Sequence, residues 1–203
     1  HSFPTRRSSD LREWHLQGHT DWSMAVNLST LQFEQPSLVK TVLDCLTRHS
    51  VPPGMLILEV TETTAMNNPD ESVRVLTALT DAGVKASIDD FGTGYSSLLY
   101  LKRLPACELK IDRAFVKELS GESEDATIVS AIVALAKTLN LKVVAEGVET
   151  AAQQTFLTEL GCNTLQGYLL GKPITAQAIM EQCQHGEMSP PRTRSRSEER
   201  RVG

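Results

Sequence analysis

Six short apolar runs recur along the chain, and each of them ends at a polar or charged residue. None alternates between polar and apolar positions, which is typical of strands covered on both faces, as in a parallel sheet. The pattern predicts strands around residues 24–26, 56–58, 86–88, 109, 143–145 and 164–165. The polar residues that follow these runs are Asn27, Glu59, Asp89 with Asp90, Lys110, Glu146 and Gln166.

Helical patterns with recognisable ends lie between the predicted strands. An apolar stripe over residues 38–46 predicts one helix, which the two prolines at 52 and 53 would stop. Asn68, followed by a proline, indicates the start of a second helix, and Gly83 is placed to end it. The chain therefore alternates between strands and helices in its first half.

The same alternation continues to the last predicted strand. A stripe over residues 128–139 predicts a helix that ends at Asn140. Thr150 with Gln153 has the spacing of a capping box for another helix, which Gly161 would close. Repeated strand-plus-helix units of this kind indicate α/β architecture with a parallel sheet.

A polar residue at the end of every strand favours one α/β architecture over the other. In a (β/α)8 TIM-like barrel, side chains at the carboxyl ends of the strands converge on one active site. An open doubly wound sheet is the alternative, but no glycine-rich turn follows the first strand. Since only six strands are found, we expect an incomplete barrel that lacks its first two strands.

Composition narrows the class of protein. At 203 residues the chain suits one domain with a sizeable core, and its net charge of −5 argues against a nucleic acid polymer as partner. The sequence has no run of membrane-spanning length and no signal-peptide pattern. Four widely separated cysteines, without a Cys-x-x-Cys pair, favour reduced thiols and a cytoplasmic location.

The two ends of the chain indicate a non-protein origin. With suitable codons, the reverse complement of residues 196–203, read one base out of frame, encodes residues 4–11. Because one DNA segment on opposite strands would encode both ends, a ligated sequencing adapter is indicated, and residues 1–11 and 196–203 are interpreted as non-native. We expect a partial domain over residues 12–185, a polar tail over 186–195, and a parent protein that extends upstream.

The residues at the strand ends form a set of oxygen ligands. Such ligands select hard divalent cations, Mg²⁺ or Mn²⁺, rather than zinc, and no histidine lies at a predicted strand end. Adjacent carboxylates such as Asp89 and Asp90 would repel each other unless a cation lay between them. Two such ions could activate a water for in-line displacement at phosphorus, with Lys110 as a further cation.

Each of these residues has a simpler explanation when it is taken alone. The aspartate pair could cap a helix, and Lys110 could be an exposed lysine or a Schiff-base lysine, as in barrel aldolases. A barrel aldolase or isomerase would not need four carboxylates at the strand ends. A structural role within a larger signalling protein is a third reading, and it leaves the successive acidic strand ends unexplained.

At these positions the sequence resembles the EAL domain family over residues 22–182. The strongest match is the uninterrupted nine-residue block from Asp89 to Ser97. The other matching segments, in family order and spacing, are Asn27-Leu28-Ser29, Glu59-Val60-Thr61-Glu62, Leu109-Lys110-Ile111-Asp112, Glu146-Gly147-Val148-Glu149 and Gln166-Gly167-Tyr168. The resemblance implies a cyclic di-GMP phosphodiesterase that uses two Mg²⁺ or Mn²⁺ ions and yields linear pGpG.

The resemblance also implies a role for each residue. The implied metal ligands are Asn27, Glu59, Asp89, Asp90 and Glu146. The implied catalytic residues are Lys110, which helps to position or deprotonate the attacking water, with Asp90 and Glu149. Glu149 and Gln166 are implied to support the site and the metal-bound water. Glu62 is implied to anchor the loop over residues 89–97, where Gly92 and Gly94 permit the backbone turn.

One departure from the family pattern changes the expectation for activity. The Glu-Ala-Leu signature is absent from the sequence, so the metal site lacks one carboxylate. A six-stranded sheet also leaves two unpaired edges. We therefore expect this chain to be inactive and prone to aggregation, whereas its parent is active.

The alternative function within the family is a non-catalytic EAL-type receptor that senses cyclic di-GMP without cleaving it. The retained ligand and loop residues favour the enzyme. By resemblance, the parent protein is expected to be a homodimer, with possible sensory or GGDEF domains upstream and a possible membrane anchor.

Overall fold

The computed structural model describes residues 5–94, 98–119 and 123–184. Six parallel strands form one sheet in this part of the chain, and each strand pairs with the next along the sequence. The strands are β1 (Met24–Leu28), β2 (Leu56–Thr61), β3 (Lys85–Phe91), β4 (Glu108–Ile111), β5 (Lys142–Glu146) and β6 (Thr164–Gln166). This is the strand order of a (β/α)8 barrel, and the predicted fold class, an incomplete TIM-like barrel, is confirmed.

Helices follow the strands, as the alternating pattern predicts. Those of the described residues are α1 (Thr5–Leu16), α2 (Thr30–Phe33), α3 (Leu38–His49), α4 (Glu62–Asn67), α5 (Pro69–Asp81), α6 (Leu98–Leu101), α7 (Arg113–Lys117), α8 (Glu124–Thr138), α9 (Ala151–Leu160) and α10 (Ala176–Gln184). Helices α2, α4, α6 and α7 span only four to six residues each. They were not predicted, because so few residues cannot display a full helical stripe.

The predicted caps lie at the ends of α5 and α9. The Asn68 side chain accepts a hydrogen bond from the Glu71 N–H at the start of α5. At α9, Thr150 and Gln153 form the capping box, and Gly161 ends the helix with a φ of 94°. These bonds satisfy backbone groups that a helix end leaves unpaired.

Helix α3 ends before the point predicted from its prolines. It stops at His49, because Ser50 adopts a left-handed conformation with a φ of 54°. The Ser50 N–H donates to the carbonyls of Leu46 and Thr47, which closes the last turn. Pro53 instead begins a short 3-10 turn that leads into β2.

The strands separate the core from the candidate site. Successive side chains of a strand point to opposite faces of the sheet. Leu58 and Val60 of β2 are fully buried, as are Ile88 of β3 and Ile111 of β4. Burial of such a side chain contributes roughly 1.5–3 kcal/mol to the stability of the fold. Helices α5 and α8 pack against these central strands. Glu59 lies between Leu58 and Val60 and therefore points to the other face.

Helix α1 crosses the boundary between residues 11 and 12 that the sequence analysis places at the start of the domain. Leu11 is 2% exposed and Trp14 is also buried. The non-native origin of the two ends stays a prediction, and the tail over residues 186–195 and the segment 196–203 lie outside the described residues.

The chain divides into one compact unit up to Gly171 and a second from Lys172, which contains α10. No helix among the described residues is long and apolar enough to cross a bilayer.

Candidate metal centre

Lys110 lies at the centre of a polar cluster on the sheet. Its Nζ is 2.8 Å from Glu59 Oε1, 3.1 Å from Asp89 Oδ1 and 2.7 Å from Glu146 Oε1. Lys110 is 5% exposed, and Glu59 and Asp89 are each 8% exposed. The sheet therefore brings three carboxylates, from β2, β3 and β5, within hydrogen-bond distance of one ammonium on β4.

Asn27 extends this cluster onto β1. It pairs with Glu59 in the parallel register of β1 and β2. Its side-chain amide nitrogen lies 3.0 Å from Glu59 Oε2 and 3.2 Å from Asp89 Oδ2. The nitrogen rather than the oxygen is assigned to this position, because both neighbours only accept hydrogen bonds. Four predicted ligands and the predicted catalytic lysine thus occupy one place.

The backbone of β3 is irregular at Asp90, immediately after Asp89. The register of β3 and β4 shifts between Ile88 and Phe91, and Asp90 has a φ of 53°. The Asp90 N–H donates to Asp89 Oδ1 at 3.0 Å, which fixes the turned backbone. The Asp90 carboxyl lies beside Asp112, at the start of α7, and Asp112 contributes to the raised pKa of Asp90. The two adjacent aspartates therefore point to different neighbours.

Glu62 holds the loop that follows Asp90. Its Oε2 accepts hydrogen bonds from the Gly92 N–H at 2.8 Å and the Gly94 N–H at 3.3 Å. Glu62 is 2% exposed, so these bonds are shielded from water. Gly92 has a φ of 100°, and a Cβ there would lie 2.9 Å from Phe115 Cε2. The contact is the one the family resemblance implies for Glu62, although residues 95–97 of the loop lie outside the described part.

Glu149 and Gln166 lie beside the cluster rather than in it. Gln166 pairs with Glu146 in the register of β5 and β6, and it is exposed. Glu149 is also exposed and lines a cleft of about 420 Å³ together with Arg113, Ala114, Lys117 and Gly147. Among the described residues, neither side chain hydrogen-bonds to Lys110 or to its three carboxylates. The structure thus places both residues at the edge of the site.

The surroundings shift the pKa of three groups in the site. Burial raises the pKa of Glu59, against the opposing effect of the hydrogen bond and charge of Lys110. Burial alone would lower the pKa of Lys110, but its hydrogen bonds to Glu146 and Glu59 outweigh burial and raise it. Burial, the charge of Asp89 and the Asp112 hydrogen bond raise the pKa of Asp90. Lys110 is therefore protonated at neutral pH.

The donor set fits a hard divalent cation. With its three carboxylates ionised and one ammonium, the cluster carries two negative charges in excess, and its ligands are carboxylate and amide groups of the kind that Mg²⁺ and Mn²⁺ prefer. Within the described ranges, no group of three or more His, Cys, Asp or Glu side chains is already spaced around an ion position. Instead, the Lys110 ammonium lies among the carboxylate oxygens.

Sequence reasoning missed three residues that organise this edge of the sheet. Asp112 ends the matching segment Leu109-Lys110-Ile111-Asp112, but no role was predicted for it; it lies beside Asp90 and contributes to the raised pKa of that carboxyl. Thr64 Oγ1 lies 2.7 Å from Thr30 Oγ1 and links the segments that follow β1 and β2. Gln153 was recognised as a capping residue only, whereas its side chain also reaches α7. Nothing local in the sequence shows such contacts between segments.

Comparison with protein families gives one match across most of the chain. The EAL domain profile matches residues 6–173. The bifunctional diguanylate cyclase/cyclic di-GMP phosphodiesterase MucR of Pseudomonas aeruginosa is 64% identical over 170 residues, which cover 84% of this chain and 25% of MucR. The cyclic di-GMP phosphodiesterase RocR of the same organism is 35% identical over 161 residues, covering 79% of this chain and 41% of RocR. The chain thus spans less than half the length of these curated relatives.

Solved structures show the same similarity. The PaMucR phosphodiesterase in complex with c-di-GMP superposes with a TM-score of 0.84 at 62% identity, covering 86% of this chain and 71% of that one. Klebsiella pneumoniae BlrP1 in a complex with manganese and cyclic di-GMP has a TM-score of 0.75 at 32% identity, covering 85% and 43% of the two chains. The similarity therefore includes proteins whose structures hold the nucleotide, and in one case a divalent metal.

Proposed function

This chain belongs to the EAL domain family, and on that basis we propose that it is the catalytic part of a metal-dependent phosphodiesterase that opens cyclic di-GMP to linear pGpG. The observation that carries the proposal is the cluster on one face of the sheet, where Glu59, Asp89 and Glu146 surround Lys110. A purely structural role does not explain three carboxylates, two of them buried, around one cation. A site that binds divalent ions and a phosphodiester needs carboxylate ligands and a cation, and these four groups provide both.

The ligand set supports two Mg²⁺ or Mn²⁺ ions. The residues that would hold them are Asn27, Glu59, Asp89, Asp90 and Glu146. When bound, such ions activate a water and neutralise the charge that builds up on the phosphate oxygens. The chain's own contribution is to bury Glu59 and Asp89, so that water screens them little, and to fix the five ligands on strands of one parallel sheet.

The position of Lys110 favours one of the two roles that the family resemblance left open. Its Nζ lies among the oxygens of Glu59, Asp89 and Glu146, where an ammonium can donate hydrogen bonds to an attacking oxygen or to phosphate. We therefore assign Lys110 the positioning of the attacking water. The same three carboxylates argue against the aldolase alternative, which would not need them.

The remaining residues would act around this centre. Glu62 would hold Asp90 and its loop in place through the Gly92 and Gly94 amides. Glu149 and Gln166 lie at the edge of the site, where they could bind a metal-bound water or the nucleotide.

The state of the 203-residue chain itself is a separate proposal. The sheet has two edge strands in the described part, β1 and β6, and neither has a second neighbour there. Asn27 lies on the exposed edge strand β1, and the sequence contains no Glu-Ala-Leu. We propose that the chain alone is a poor catalyst and associates through its open edges. Dimerisation, the upstream domains and a cytoplasmic location likewise remain predictions for the whole protein.

Hydrolysis measured on two proteins tests the proposed function. One is the 203-residue chain, and the other is a chimera in which the preceding segment of the MucR EAL domain is joined before β1. Each is incubated with Mn²⁺ and cyclic di-GMP, and the nucleotides are separated by chromatography. We expect pGpG from the chimera and much less from the chain alone. Nucleotide binding without hydrolysis by the chimera would identify a receptor instead, and hydrolysis that persists in a chelator would refute metal dependence.

A further inference from the structure

We propose that Gln153 is a positioning residue that locks the segment after β4 against the segment after β5, and thereby holds Lys110 at Glu146. Its Nε2 donates to the Val116 carbonyl at 2.9 Å and to the Lys117 carbonyl at 3.2 Å. Its Oε1 accepts from the backbone N–H groups of Glu149 and Thr150. The inference rests on the proposed function and adds a residue that does not itself touch the cluster.

Gln153 uses its full side-chain bonding capacity on these two segments. The residue is 5% exposed, and its Oε1 lies 2.8 Å from the Glu149 nitrogen and 2.9 Å from the Thr150 nitrogen. An amide has two donors and two acceptor sites, and all four are engaged here. The bonds to α7 also satisfy carbonyls at a helix end, which otherwise lack partners. A cap of α9 would need only the Oε1 bonds, so the Nε2 bonds add a connection from α9 to α7.

The ladder of the sheet explains why such a lock is useful. The pairing of β4 with β5 ends at Ile111 and Ala145, one residue before Glu146. Beyond this pair, β4 continues into α7, whereas Glu146 is followed by Gly147, which has a φ of 73°. The 2.7 Å contact between Lys110 and Glu146 thus lies where the two strands cease to hold each other. Gln153 reconnects their continuations a few residues later.

Two substitutions separate this role from ordinary helix capping. Gln153→Glu keeps an oxygen for the Glu149 and Thr150 amides, as in a Thr-x-x-Glu capping box, but it loses both donors to α7. Thr150→Ala removes the Thr150 side chain, which accepts from the Gln153 N–H at 3.2 Å, and leaves the bonds of the Gln153 side chain to α7 in place. The first variant breaks the lock and keeps the cap, whereas the second weakens the cap and keeps the lock.

Two readouts on the 203-residue chain test the inference. The first is Mn²⁺ affinity from electron paramagnetic resonance of the free ion. The second is the rate at which acetic anhydride modifies Lys110, measured by mass spectrometry relative to the exposed Lys142 and needing no metal. For Gln153→Glu at pH 8, we expect Mn²⁺ affinity to fall about tenfold, as is typical when a residue that orients metal ligands is lost, and Lys110 to be modified faster.

The Thr150→Ala variant supplies the control for stability. It should lower the midpoint of thermal unfolding by about 2–4 °C, with unchanged Mn²⁺ affinity and unchanged Lys110 modification. Equal values of both readouts in the two variants would overturn the inference. If the unsubstituted chain binds no Mn²⁺, the proposed metal site fails, and the modification rate of Lys110 still decides the role of Gln153.

Discussion

Replacement of Lys110 by methionine tests the electrostatics of the cluster. The substitution keeps the length of the side chain and removes the only ammonium within reach of Glu59, Asp89 and Glu146 among the described residues. The side chains of Lys110 and Glu59 are 7% and 9% exposed, so water screens the remaining charges poorly. The cluster would then hold three carboxylates without a compensating charge, and the folded state should be destabilised.

The structure gives a magnitude for this loss. Removal of one partner from a buried ion pair costs about 3–5 kcal/mol. The lower end applies here, because the pKa of Glu59 is already raised by burial and the carboxyl can take up a proton. For a chain of this size, about 3 kcal/mol corresponds to roughly 6–12 °C in the midpoint of thermal unfolding. Lys142→Met is the matched control, since Lys142 lies on a strand but is exposed.

Divalent metal should rescue the Lys110→Met variant selectively. A cation bound among the three carboxylates replaces the lost positive charge, so Mn²⁺ should bind the variant more tightly than the unsubstituted chain. At a hundredfold excess over its dissociation constant, the ion would restore about 2.7 kcal/mol. Differential scanning fluorimetry with and without Mn²⁺ measures both effects. The reasoning is refuted if Lys110→Met unfolds at the temperature of Lys142→Met, or if Mn²⁺ stabilises neither protein.

Three further predictions concern the loop that follows Asp90 and the thiol of Cys162. Glu62→Gln keeps the side-chain length but replaces the charged acceptor of the Gly92 and Gly94 amides. Amide hydrogen exchange at Gly92 should therefore become faster, and the free energy of unfolding should fall by about 1–3 kcal/mol. Unchanged exchange would contradict the anchoring role. Gly92→Ala should lower the midpoint of thermal unfolding more than Gly18→Ala. Both glycines have positive φ, but of the two only Gly92 would place a Cβ closer than 3 Å to a neighbour. Equal decreases of the midpoint in the two variants would exclude the clash. Partial burial raises the pKa of Cys162 from 9.0 to about 11. At pH 8 the folded chain should therefore present about a hundredfold less Cys162 thiolate to iodoacetamide than the denatured chain, and alkylation should rise towards pH 11. Equal rates in the two states would show that folding does not suppress ionisation of this thiol.

Local sequence signals predicted the regular elements well. The runs that end at Asn27, Glu59 and Glu146 are strands, because their apolar residues are covered on the core side and paired in a parallel sheet. The caps at Asn68 and Thr150 lie where predicted, since a cap depends on residues only three positions apart. Helix α3 ends at His49, three residues before the first proline, because a left-handed Ser50, which has no clear signal in the sequence, closes its last turn.

The candidate site could be predicted only as a set of residues. Their sequence positions placed Asn27, Glu59, Asp89 and Glu146 at the ends of parallel strands, but not the position of the Lys110 ammonium among them. The register of β3 against β4 also shifts between Ile88 and Phe91, which only the paired strand reveals. Contacts such as those of Gln153 with α7 join residues more than 30 positions apart, and local pattern carries no information on them.

The central claim is that side chains of separate strands bind divalent ions at one place on the sheet. Anomalous diffraction at the manganese absorption edge, from crystals grown with Mn²⁺ and cyclic di-GMP, locates such ions directly. The account predicts anomalous density in contact with the carboxylates of Glu59 and Asp89, next to the bound nucleotide. Crystals that contain the nucleotide but show manganese elsewhere, or no manganese at all, would contradict it.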